Sequence, residues 1–194
     1  MRSIARFLVG SIVFVAGGAA WYLAGLLIMV YDIGSEPDFW ATERLLAYAL
    51  FVLAPALTFT PLARLTSIPL LDLEAVVAWS TLLFVWTFVD PDRSPVLPAL
   101  LLLLVPLTMS LATLLTLLAY LVGSRLAARY RRRYDALRAR RQGYLAAMFI
   151  SGCLLLHMLD VLSPVNAGLL ALIVLLIEVL LLTRPGPTER SLAS

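Results

Sequence analysis

"VLPALLLLLVPLTMSLATLLTLLAYLV", residues 96 to 122, runs for 27 positions without one charged side chain. A helix rising 1.5 Å per residue crosses about 30 Å of hydrocarbon in roughly 20 residues, so this stretch is long enough to span a bilayer. In lipid every backbone N–H and C=O must find a partner inside the segment or in a closed barrel. An unbroken apolar run, as opposed to an alternating one, selects the helix.

Five more runs follow the same pattern: Phe7 to Tyr31, Leu45 to Leu65, Leu70 to Val89, Tyr144 to Leu162 and Ala167 to Thr183. Of the 194 residues 62% are hydrophobic and 14% charged, against nearly half and about a quarter in a soluble domain. The expected fold is all-α, a polytopic membrane protein with a bundle of six transmembrane helices. It forms a single domain over residues 1–184, with no separate catalytic domain and a disordered tail over 185–194. Arg2 and Arg6 followed by "VAGGAA" mimic a signal peptide, but the apolar run continues through "WYLAGLLIMVY" and exceeds the ~7 to 15 residues of a cleaved signal. It reads as a retained helix.

All fifteen basic residues are arginine. With the N-terminus in the cytoplasm, thirteen fall inside (Arg2, Arg6, Arg64, the eight from Arg125 to Arg141, Arg184 and Arg190) and two outside, Arg44 and Arg93. That bias predicts a multi-pass protein of a prokaryotic cytoplasmic membrane with both termini cytoplasmic. Acidic residues collect on the other side: Asp32, Glu36, Asp38, Glu43, Asp90 and Asp92, with Asp160 at its edge. The connections "TSIP", "DPDRSP" and "SPVN" are tight breaks, whereas "DIGSEPDFWATER" outside and the arginine-rich segment inside are longer. In its dimensions, 194 residues in six helices with both ends inside, the chain resembles the substrate-binding components of energy-coupling-factor transporters. The resemblance is one of topology and rests on no motif.

"SRLAARYRRRYDALRARRQ", residues 124 to 142, contains no helix breaker, so the fourth helix is expected to extend into the cytoplasm over 124–142 and reverse at Gly143. Leu126, Tyr130, Tyr134 and Leu137 recur at helical spacing among the arginines. Arg125, Arg129, Arg132, Arg133 and Arg140, with Tyr130 and Leu137, are the candidate contacts to anionic lipid headgroups of the bilayer or to other membrane subunits. Arginines gathered at one membrane face do not point to nucleic acid. Gly17, Ala20 and Ala24 in the first run are small residues spaced for close helix approach, inside the bundle or at a subunit interface.

Chemistry-bearing residues are few. Glu178 interrupts "LLALIVLLIEVLLL", and an ionisable group at such a depth costs roughly 2.5 to 3.5 kcal/mol on insertion scales, so it needs a partner or a proton. Glu74 lies at similar depth in the third run and is its candidate companion for a solute or proton. The only histidine and cysteine stand in "SGCLLLHMLD", where Cys153, His157 and Asp160 share about 60° of a helix. Three or four ligands make a metal site, and neither C-x-x-C nor H-E-x-x-H occurs. A bis-histidine haem needs a second histidine. No metal and no cofactor is expected. Pro55 and Pro61, and Pro98 and Pro106, lie in the second and fourth runs beside Thr58, Thr60, Thr108, Ser110, Thr113 and Thr116, where hydroxyls can satisfy freed carbonyls.

This inventory predicts a non-catalytic subunit or scaffold of a larger membrane complex, docked through the first helix and the arginine-rich extension. The alternative is a small transporter or solute-binding component using Glu178, Glu74 and the proline-kinked helices. A third is an intramembrane enzyme using His157 with Asp160.

Overall fold

The computed structural model describes residues 2–36, 38–89, 96–129 and 136–183, with the side chains of 2–9, 96–97 and 126–129 outside the description. Six helices result: α1 Arg2–Met29, α2 Thr42–Thr66, α3 Leu71–Phe88, α4 Val96–Arg129, α5 Ala136–Met158 and α6 Pro164–Thr183. The described residues contain no strand. Five helices carry stretches long and apolar enough to cross a membrane: Gly10–Met29, Thr42–Thr66, Leu71–Phe88, Pro98–Arg125 and Pro164–Thr183. The chain is thus an all-helical, multi-pass membrane protein. α5 is outside that set because it opens on Arg138, Arg140 and Arg141.

The arginine-rich segment departs from expectation. It is not one helix over 124–142 reversing at Gly143: α4 ends at Arg129, Ala136 already belongs to α5, and Gly143 lies two turns inside that helix. The physical reason is packing. A Cβ on Gly143 would sit 2.6 Å from Thr116 Cα, so glycine is there to let α5 touch the α4 backbone, not to turn the chain. Arg132, Arg133 and Tyr130, the side chain of Arg129, the "DPDRSP" connection and the tail lie outside the described residues.

Each helix packs on its successor, most extensively α4 on α5 and least α5 on α6. α6 buries no residue at all. α2 turns into α3 through Ser67 and Leu70, both left-handed (φ 54° and 61°), with the Ser67 N–H bonded to Ala63 O at 2.8 Å. Asp160 (φ 55°) ends α5 in the same way, with Val161 N–H reaching Leu156 O at 2.9 Å.

The core is built of small residues and a few rings. Ala20, Ala24 and Leu27 of α1 meet Ala47, Leu50, Phe51 and Ala54 of α2 with Ile33 from the loop, while Phe59, Ala63, Leu71, Ala75 and Leu117 join α2, α3 and α4. Between the two clusters Trp21 meets Trp79 edge-on at 5.5 Å, and Phe59 stacks on Trp79 at 6.2 Å. Trp21 Nε1 donates to Thr58 Oγ1 at 3.0 Å and Trp79 Nε1 to Thr113 Oγ1 at 3.3 Å, so both half-buried indoles have their N–H groups satisfied.

Candidate functional site

Where α3 and α5 begin, Glu74, Arg140 and Tyr144 converge. Arg140 forms an ion pair with Glu74 Oε1, and the Tyr144 hydroxyl donates to Glu74 Oε2 at 2.9 Å. The guanidinium lies over the Tyr144 ring at 5.8 Å. Glu74 is drawn into this cluster because it stands one turn into α3, facing the first two turns of α5. Both carboxylate oxygens are occupied, so Glu74 is not the companion of Glu178. Arg140 is likewise engaged inside the protein through its Nη2, although its side chain stays partly exposed. Arg125 and Leu137 are exposed at the same end, Leu137 with a contact of its own.

Glu178 stands on α6 five residues from Thr183, about 8 Å from that end of the helix. It lines a groove of about 290 Å³ between α5 and α6 with Gln142, Leu145, Ala146, Phe149 and Leu175. The groove is lateral and not inside the bundle. Among the described residues no side chain pairs with the Glu178 carboxyl.

His157 and Asp160 are exposed at the far end of α5, with no hydrogen bond between their side chains, and Asp160 serves as the left-handed residue that closes the helix. Among the described residues His157 makes no bond to a neighbouring helix either. Cys153 is a free, half-buried thiol. Among the described residues no three His, Cys, Asp or Glu side chains are placed to hold a metal ion.

Gly17, Ala20 and Ala24 face α2. A Cβ on Gly17 would meet Thr58 Oγ1 at 3.5 Å, and both alanines are buried in the α1–α2 core. This stripe serves internal packing. A second stripe escaped the sequence reading: Ala139, Gly143, Ala147 and Ser151, every fourth residue of α5, are all buried. Ser110, Ala112, Thr113 and Thr116 of α4 are buried too, and Gly143 meets Thr116. The four-residue spacing of small side chains was the available signal.

No family model, curated relative or solved structure matches the chain. The likeness in dimensions to energy-coupling-factor components therefore stays one of topology, and function must be argued from geometry.

One further residue matters at the opposite end of the bundle. Arg44, at the start of α2, is only 5% exposed. Its Nη2 donates to Gly34 O at 3.3 Å, and its guanidinium carbon lies 4.9 Å from the ring centres of both Phe39 and Phe88. Gly34 holds the loop in place: a Cβ there would collide with the Thr87 carbonyl oxygen. Counting arginines by side registers Arg44 only as an exception to the bias. Its burial could not be read from one position.

Proposed function

We propose that this chain is a non-catalytic subunit of a larger assembly in a prokaryotic cytoplasmic membrane, crossing it six times with both termini in the cytoplasm. The observation that carries the reading is Glu178, a carboxyl with no partner among the described residues, on α6, a helix with no fully buried residue. A lone carboxyl in hydrocarbon is costly, and a neighbouring transmembrane helix presenting an arginine, lysine or hydroxyl donor at its level would relieve that cost. The groove beside it supplies the apolar seat, with Leu145, Phe149 and Leu175 around the carboxyl.

The sixth crossing is supported by the Glu74 cluster. Glu74 near the start of α3 meets Arg140 and Tyr144 near the start of α5, so the two helices leave from the same end of the bundle. α5 has 23 residues, about 34 Å of rise, and runs against α4 along its small-residue stripe. The arginine bias then places that common end inside.

This reading moves the docking face from where the sequence put it. The small stripe of α1 is occupied by α2, and Arg140 by Glu74. α6 takes their place. The transporter alternative has less support, since Glu74 is engaged by Arg140 and Tyr144 and does not line the groove beside Glu178. The enzyme alternative has less still, since His157 and Asp160 stand apart at an exposed helix end.

Extraction of native membranes in a mild detergent tests the proposal. The wild-type chain is expected to migrate in a complex larger than itself, and Glu178→Leu to release it as a smaller species. A wild-type chain that migrates alone, or a variant that stays fully assembled, would contradict the reading.

A further inference from the structure

We propose that Arg44 and the aromatic groove beside it hold a phospholipid of the leaflet that meets the start of α2, its phosphate on the guanidinium and one acyl chain between α2 and α3. Arg44 Nε is buried with no acceptor, and among the described residues no carboxylate pairs with the side chain. The nearby Asp38 accepts the Trp40 N–H instead. A guanidinium is always charged and presents a planar fork of donors suited to phosphate, so a buried one with no carboxylate beside it among the described residues calls for an anion at its terminal nitrogens.

The groove says which anion. It measures about 320 Å³ and is lined by Tyr48, Phe51, Val52, Ser80, Thr81 and Phe84. Tyr48 lies one turn past Arg44 and Val52 two turns, about 6 and 12 Å along α2. The rings of Tyr48, Phe51 and Phe84 lie 5.5, 6.4 and 4.9 Å from that of Phe88, the ring that carries the guanidinium, so cation and groove share one wall. Val52 and Phe84 are about half exposed, which opens the groove sideways to the bilayer. Two of its hydroxyls bond to backbone, Ser80 to Phe51 O at 2.8 Å and Thr81 to Val77 O at 2.7 Å, so the lining is mostly apolar. Arg44 does not itself line the groove, but the Phe88 ring stands between the two, and a cation set beside an apolar groove matches an amphiphile already present in the surrounding membrane. A free phosphate would leave the channel empty.

The test uses the full chain purified in detergent and native mass spectrometry, titrating phosphatidylglycerol, diacylglycerol with the same chains, or inorganic phosphate. The expected result is one phosphatidylglycerol more tightly retained than any held by the arginine-rich end, with diacylglycerol weaker by about tenfold and inorganic phosphate neither binding nor competing. Arg44→Gln is expected to remove that one lipid from the count. Val52→Trp, at an exposed position that leaves the core untouched, is expected to do the same by filling the channel, and it decides the matter if Arg44→Gln does not fold. Unchanged lipid retention in Val52→Trp, or displacement of the lipid by inorganic phosphate alone, would overturn the proposal.

Discussion

Two sites, Gly143 and the Glu74–Arg140 pair, show how side-chain size and charge set this fold. Gly143 has no room for even a methyl group against Thr116, so Gly143→Val should force α4 and α5 apart. Overpacking of that kind typically costs about 1–3 kcal/mol, and here it strikes backbone, so the upper end is expected. Thermal unfolding in detergent micelles reads it; a melting temperature equal to wild type would show that the two helices do not meet there. Glu74 and Arg140 form a partly buried pair with Tyr144 attached, and removing one member strands the other. Arg140→Ala should destabilise by about 1–3 kcal/mol, and Glu74→Gln should take back part of that loss in the double variant. Additive effects would mean that the pair contributes nothing. Glu74 was legible as a candidate but its partner was not, because depth along separate helices does not reveal which faces meet. Gly143 misled in the opposite sense: glycine after a charged run signals a break, and only tertiary contact shows it as a point of close approach.

At the scale of the helices, the apolar runs of the sequence mark the elements closely and the tight "TSIP" connection falls where α2 meets α3, whereas "SPVN" is mostly the first turn of α6, which begins at Pro164, and residues 159–163 make the connection. Apolar length is enough to announce a helix in lipid, since the backbone has no other way to bond. What one run packs against is a matter of faces, and α1 illustrates it: Gly17, Ala20 and Ala24 serve α2, whereas a Cβ added at Gly10, Gly18 or Gly25 would meet nothing within 4 Å from another element among the described residues. The prolines behave as their chemistry requires. Pro55 removes the N–H that would have bonded Phe51 O, and Ser80 of α3 supplies the missing donor from across the interface. Ser80→Ala should therefore cost about 1 kcal/mol in the wild-type background and close to nothing with Pro55→Ala, where the helix bonds its own carbonyl again. Equal costs in the two backgrounds, measured by denaturation in micelles, would remove the proline from the explanation.

For the whole molecule, each helix packs chiefly on its successor, and α6 hangs on α5 with no fully buried residue of its own. An edge helix of this sort is at home in lipid until it carries a carboxyl, and Glu178 is what turns a lipid face into a candidate subunit face. The account as a whole rests on α5 crossing the bilayer as the other five helices are able to do. Labelling with a membrane-impermeant thiol reagent in intact cells tests it, in a Cys153→Ser background with single cysteines at Trp40, Leu137 or Asp160. Trp40→Cys and Asp160→Cys should react from outside and Leu137→Cys only after the membrane is opened; Leu137→Cys and Asp160→Cys reacting from the same side would contradict the six-span bundle.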